Sequence, residues 1–446
     1  MESIAPPPPD RRLLFVLLAT ALLQLRTLVL PTLATDDFGI WLSSFTWNET
    51  VRNLWVPTNE HTWPWMRLTT FALAQLAPSN ATVPWMFLGF THAVVLLVVW
   101  LLQRFVLKET GNRTASLFAA MLFGVSATYA EAIYWYAASP ALAALVCGLL
   151  GLLGAQRQSR VGLLLSFLGP LLAPGWFAGG VLMGPMIALY LAGKRRWWAA
   201  VVPLIGTATY LAISLPMSAK QILHTEHYQG RTALQAFDPL LAVWNSVRSL
   251  ADHTFLAQLG VWNIALPAWL AVPVALAVLV ALAWWWKRAP HRGLILVGVV
   301  LLLMNNLLIY GARAAWSYSE LLVMWSRYQV FPQFGLALIL AGGWRNWEPS
   351  RKMFLSILGV MFLLQLPRAV LGCFHISPDQ AACLKQLDEA QRTCVELGIT
   401  REDLIRAMPA EPIPNSADHN RWNYVRGASE AKLTDADAIR AALLPR

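Results

Sequence analysis

Pro84 to Leu107 reads PWMFLGFTHAVVLLVVWLLQRFVL, and the fold class turns on this stretch. It holds one charged side chain, Arg104, and is longer than the roughly 20 residues a helix needs to cross a hydrocarbon core. Similar apolar runs recur along the chain at Leu13–Leu33, Ala115–Ile133, Ala141–Ala155, Val161–Ala173 and Phe177–Ala192, then at Trp197–Leu215, Ile264–Trp286, Leu294–Tyr310, Tyr328–Gly343 and Met353–Leu371. The expectation is an all-α polytopic membrane protein with about eleven spans. The runs at Ala141–Ala155 and Val161–Ala173 are short and rich in Gly and Pro, so they are expected to be tilted, broken or re-entrant.

Composition agrees. Of 446 residues, 57% are hydrophobic and 13% charged, whereas a soluble protein carries about 25% charged residues. That leaves too little polar surface for a water-soluble globule, and the 22 tryptophans suit the headgroup zone. The net charge of +10 does not signal nucleic acid, because the basic residues sit in short clusters between apolar runs. Arg11-Arg12 ahead of the first run reads as a retained signal anchor.

Alternation places Arg11-Arg12, Arg104/Lys108/Arg113, Arg157/Arg160, Lys194-Arg195-Arg196, Lys287/Arg288/Arg292 and Arg345/Arg351/Lys352 on one side. The positive-inside rule makes that side cytoplasmic, with the N-terminus inside and the tail outside, in a cell membrane of the bacterial inner-membrane type. The expected organisation is a lead-in at 1–10, a membrane domain at 11–371 and a soluble, helical, non-cytoplasmic tail at 372–446. Non-cytoplasmic loops are expected at 34–83, 216–263 and 311–327. Trp41, Phe45, Trp47 and Trp55 suggest interfacial helices in the first loop, and Leu240–Leu259 repeats the pattern in the second. Cys147, Cys373, Cys383 and Cys394 match no metal or redox spacing.

The candidate chemistry lies on the non-cytoplasmic side. Asp36-Asp37 directly follow the first run, where a carboxylate can act as base or hold a divalent cation; the plainer reading is a helix end facing water. Glu60, His61 and Arg67 share a short segment with Pro64 and two indoles, offering an acid, an imidazole and a phosphate-binding guanidinium, or simply a headgroup anchor. Glu131 ends the third run beside Tyr134, Trp135 and Tyr136, and a carboxylate at membrane depth is costly enough to suggest function. Arg313, Glu320, Arg327 and Tyr328 bracket a late run, where an arginine against the charge bias seeks an anion or snorkels to the headgroups. The second loop adds His224, Glu226, His227 and Arg231, whose spacing is not that of a zinc protease. Gln24 and Arg26 inside the first run have no evident role.

These positions resemble the GT-C class of integral membrane glycosyltransferases, which includes protein O-mannosyltransferases and lipid A aminoarabinose transferases. The resemblance rests on Asp36-Asp37, on His61, Pro64 and Arg67, on Glu131-Ala132-Ile133-Tyr134-Trp135, and on Ser326-Arg327-Tyr328 with Pro332. It covers most of the membrane part and none of the tail. It departs after Trp135, where relatives carry an arginine and an aspartate and this chain reads Tyr136-Ala137-Ala138-Ser139-Pro140.

The resemblance implies sugar transfer from a polyprenyl- or dolichyl-phosphate donor to a lipid, glycan or protein acceptor on the non-cytoplasmic face. It implies Asp36 or Asp37 as base, with His61, Arg67, Trp135, Arg313, Arg327 and Tyr328 on substrate. A divalent metal would be held by Glu60, Glu131 or His227. The alternatives are a secondary transporter or lipid flippase, or an inactive relative. Against transport, the runs show no internal repeat and few polar residues, with Asn305-Asn306 the main exception after Gln24 and Arg26.

Overall fold

A computed structural model describes residues 11–29, 37, 40–41, 44, 47–57, 62–79, 82–224, 237–261, 266–312, 326–345, 347–371, 392 and 396. The expectations for residues 1–10, Asp36, Glu60, His61, Glu226, His227, Arg231, Arg313 and Glu320 lie outside these. So do those for Cys373, Cys383 and Cys394, the tail beyond Leu371 apart from Arg392 and Glu396, and the side chains of Arg26 and His224.

The described residues are helical, with no strand among them. The first run becomes α1 (Arg11–Leu23) and α2 (Leu25–Val29), broken at Gln24. The break has a local cause. The Gln24 carbonyl accepts from the Thr27 hydroxyl at 2.7 Å and lies 3.0 Å from His92 Nε2, so side chains compete with the helix ladder. The first loop supplies α3 (Trp47–Asn53) and α4 (Pro64–Leu76). Pro64 suits its place because the missing N–H and fixed φ cost nothing in a first turn. Next come α5 (Val83–Thr110), closed by Gly111 at φ 66°, and α6 (Arg113–Gly124), capped by the Asn112 side chain.

The chain continues through α7 (Glu131–Tyr134), a 3-10 turn at Tyr136–Ala138, α8 (Pro140–Ala155) and α9 (Arg160–Trp176). A second 3-10 turn, Ala178–Leu182, leads to α10 (Met183–Gly193) and α11 (Trp197–His224). The second loop holds α12 (Pro239–Ser249), capped by Asp238, then a π turn at Leu250–Phe255 and a 3-10 turn at Leu256–Leu259. After α13 (Ala268–Arg288) and α14 (Arg292–Ala312), a 3-10 turn at Ser326–Gln329 opens α15 (Val330–Gly343), and α16 (Arg351–Leu371) follows.

Six helical stretches among the described residues are long and apolar enough to cross a membrane: Val83–Thr110, Tyr136–Ala155, Trp197–Ala219, Ala268–Arg288, Arg292–Gly311 and Arg351–Val370. Their burial is uneven. The stretch ending in α8 is 78% buried, whereas α13 is 11% buried and presents Trp269, Leu276, Val280 and Trp284 outward. An apolar helix with most of its surface outside the protein core suits lipid as its solvent. The short α15 lies at the centre, buried over most of its length against α14 and α6.

Glycine sets the closest approaches. A Cβ on Gly335 would meet the Gly298 carbonyl at 2.6 Å, and one on Gly162 would meet the Gly154 carbonyl at 2.6 Å. Backbones of α14/α15 and α8/α9 therefore touch, as small residues permit between helices in lipid.

The run Ala115–Ile133 differs from expectation. Its helix stops at Gly124, and a non-helical stretch precedes Glu131. Polar groups hold the gap open. The Ala127 N–H donates to Gln365 Oε1 at 2.9 Å, Ser126 and Thr128 pair at 2.8 Å, and Gln333 Nε2 donates to the Leu122 carbonyl. Gln365 Nε2 also donates to the carbonyls of Ala257 and Gln258, tying α16 to the second loop. Irregular backbone among apolar helices survives only where such groups satisfy it.

The basic connections meet at one end. Lys194 forms an ion pair with Glu109, Arg196 donates to the Ala155 carbonyl, Arg345 donates to the Arg288 carbonyl, and Arg351 covers the Phe15 ring.

Candidate functional site

Two segments nearly two hundred residues apart are joined at the opposite end. The Glu131 N–H donates to Ser326 Oγ at 3.0 Å, and the Arg327 N–H donates to Glu131 Oε2 at 3.2 Å. This reciprocal pair fixes the start of α7 against the turn that opens α15. Asn305 of α14 adds a third tie by donating to the Tyr328 carbonyl at 3.1 Å.

That turn aims Arg327. Its guanidinium lies 4.6 Å from the Trp135 ring centre and 4.9 Å from that of Tyr328. Arg327 is half-buried, and Arg368 of α16 joins it within electrostatic reach of the Glu131 carboxylate. Guanidinium stacking on aromatic faces leaves the in-plane N–H donors for an anion. Glu131, Trp135, Arg327 and Tyr328 thus form one cluster.

Asp37 and Arg67 approach the same segment from the first loop. Asp37 is fully buried, and its Oδ1 accepts from the Ala137 N–H at 2.6 Å. Arg67 sits buried in the first turn of α4, one turn before Thr70, whose hydroxyl pairs with that of Tyr136 at 3.0 Å. Burial pushes the Arg67 guanidinium down to about 10, so it stays charged at neutral pH. Tyr136 stacks on Phe87 at 4.0 Å, and Trp41 meets Phe87 edge-on. The stretch from Glu131 to Ser139 is therefore the hub: Asp37 and α4 grip one end of it, and Arg327 grips the other.

The rest of the first loop is pinned as well. Thr62 Oγ1 pairs with the Tyr210 hydroxyl of α11 at 2.8 Å, Trp55 leans on the Tyr210 ring, and a side chain at Gly175 would collide with the Trp65 indole. Asp37, Ile40 and Trp41 are buried, and α4 packs against α5 and α9.

A divalent cation fits the described residues poorly. Among them no three His, Cys, Asp or Glu side chains stand together, and two guanidinium groups face Glu131. Sequence reading passed over Thr70, Gln333, Gln365 and Arg368, and gave Ser326 no role of its own within the Ser326-Arg327-Tyr328 stretch. Gln333, Gln365 and Arg368 were detectable, because each interrupts an apolar run, where a polar side chain demands a partner. Thr70 carries no such signal. Compared with known protein families, characterised proteins and solved structures, the chain matches none.

Proposed function

We propose that this chain is a GT-C-type glycosyltransferase of about eleven spans that moves a sugar from a polyprenyl-phosphate donor to an acceptor on the non-cytoplasmic face. One observation carries the reading: the Arg327 guanidinium is held between Trp135 and Tyr328 with its hydrogen-bond donors uncommitted among the described residues. That geometry suits a phosphate leaving group at headgroup depth.

In the proposed reaction the acceptor hydroxyl gives its proton to a carboxylate and its oxygen bonds to the anomeric carbon. The bond from that carbon to the donor phosphate breaks, and its electron pair leaves on the phosphate oxygen. Arg327, with Arg368 beside the same carboxylate and Arg67 supplied from α4, counters the charge that develops there. Asp37 already engages a backbone N–H and has no exposed surface, so its task is to position the Tyr136–Ser139 stretch. The base role falls to its neighbour Asp36, with His61 and Arg313 assisting substrate binding.

The test is transfer of radiolabelled sugar from polyprenyl phosphate in isolated membranes, alongside donor binding to the purified chain. Asp36→Asn is expected to abolish transfer and keep donor binding, since an amide retains shape but accepts no proton. Wild-type turnover in Asp36→Asn would remove the base assignment. No transfer by the wild type from any polyprenyl-phosphate sugar would favour the flippase or the inactive relative.

A further inference from the structure

A basic cavity lies at the other end of the molecule, away from the Arg327 cluster. A cavity of about 440 Å³, lined by Gln158, Ser159, Arg160, Leu163 and Arg196, opens where the α8–α9 connection faces the start of α11. Arg196 is fixed there by donating one N–H to the Ala155 carbonyl, which leaves its remaining donors free to turn toward the opening. Charge nearby is heavily one-sided. Arg157 acts electrostatically on Lys108, and Arg160 and Arg195 add further positive charge. The nearby carboxylate, Glu109, is already taken by Lys194 and the Tyr190 hydroxyl. Such a cluster gains by neutralisation.

The surroundings of the cavity are apolar. Leu163 lines it, Val161 and Leu164 are exposed on the same helix, and Trp197 and Trp198 stand exposed beside Arg196. Exposed indoles next to exposed aliphatic side chains mark the level where headgroups meet acyl chains. A free solute has no use for those walls, whereas a lipid fills both parts at once.

We infer that this cavity binds the phosphate headgroup of an anionic phospholipid, through Arg160 and Arg196, with its acyl chains along Val161, Leu163 and Leu164. Basic pockets between helices on a positively charged membrane face recognise such headgroups. The site is independent of the sugar-transfer reading.

Native mass spectrometry on the purified full-length chain tests it, with phosphatidylglycerol and phosphatidylcholine offered in equal amounts. Phosphatidylglycerol is expected to be retained preferentially, with the preference falling about fivefold for each arginine replaced in Arg160→Gln and Arg196→Gln. Arg160 is exposed, so Arg160→Gln still reports if loss of the Arg196 tie to Ala155 prevents folding. Arg345→Gln, a charge change elsewhere on the same end, is expected to leave the preference unchanged. Equal retention of the two lipids, or an unaltered preference in Arg160→Gln, overturns the inference. Displacement of the lipid by millimolar inorganic phosphate also overturns it, because the site would then recognise phosphate alone.

Discussion

At the residue scale, Glu131 takes the backbone N–H of Arg327 while two aromatic rings take its guanidinium. Removing that guanidinium should therefore weaken donor binding and leave the turn in place. Arg327→Ala is expected to lose roughly 1.5–3 kcal/mol of donor affinity, about ten- to a hundredfold, with Arg327→Lys intermediate because a point charge lacks the planar fork. Titration of a polyprenyl phosphate into the purified variants checks this, and unchanged affinity in Arg327→Ala would remove the phosphate assignment. Asp37 behaves differently. Asp37→Asn keeps an oxygen for the Ala137 N–H, whereas Asp37→Ala strands that buried donor at a cost of about 1–3 kcal/mol. Thermal unfolding in detergent should show Asp37→Ala well below wild type and Asp37→Asn close to it. Equal Tm for wild type and Asp37→Ala would contradict the positioning role.

At the element scale, the segment between α6 and α7 depends on the side chains that satisfy it. Gln365→Leu removes the acceptor of the Ala127 N–H and the donor to Ala257 and Gln258, so a loss of about 1–3 kcal/mol is expected. Amide exchange should rise locally around Ala127 in that variant; protection equal to wild type would mean another group carries the segment. The glycine contacts make a separate prediction. Gly335→Val must push α15 off the Gly298 carbonyl, at a cost of about 1–3 kcal/mol for overpacking, whereas Gly89→Ala meets open space and should be nearly silent. The short Gly- and Pro-rich runs read in sequence as irregular spans, yet each lies in an unbroken helix, α8 and α9, the latter with Pro170 and Pro174 inside it. The stop at Gly124 is not legible, because Val125 and Ala127 continue an apolar pattern and the Leu122 carbonyl and Ala127 N–H are satisfied by glutamines over two hundred residues away.

At the scale of the whole molecule, the basic connections gather at one end and the Glu131–Arg327 cluster stands at the other. If that basic end is cytoplasmic, reporter fusions after Arg196 and after Arg446 should give opposite signals with a cytoplasm-only reporter. A cytoplasmic signal from both would remove one span and invert the late loops. The all-α membrane class followed from the sequence alone, because the length and apolarity of a helix in lipid are local properties written in consecutive residues. The residue types of the cluster were visible too, since a carboxylate or arginine at the edge of an apolar run is costly wherever it sits. Only the tertiary structure decided that Asp37 is engaged by Ala137, that Glu131 is zipped to Ser326 and Arg327, and that Gln365 and Gln333, the latter paired with the Gln258 side chain, hold the gap in the third run. Those contacts join residues from about 75 to 240 positions apart. The free energy of such a bond depends on which helices meet, and no local pattern in the chain encodes that meeting.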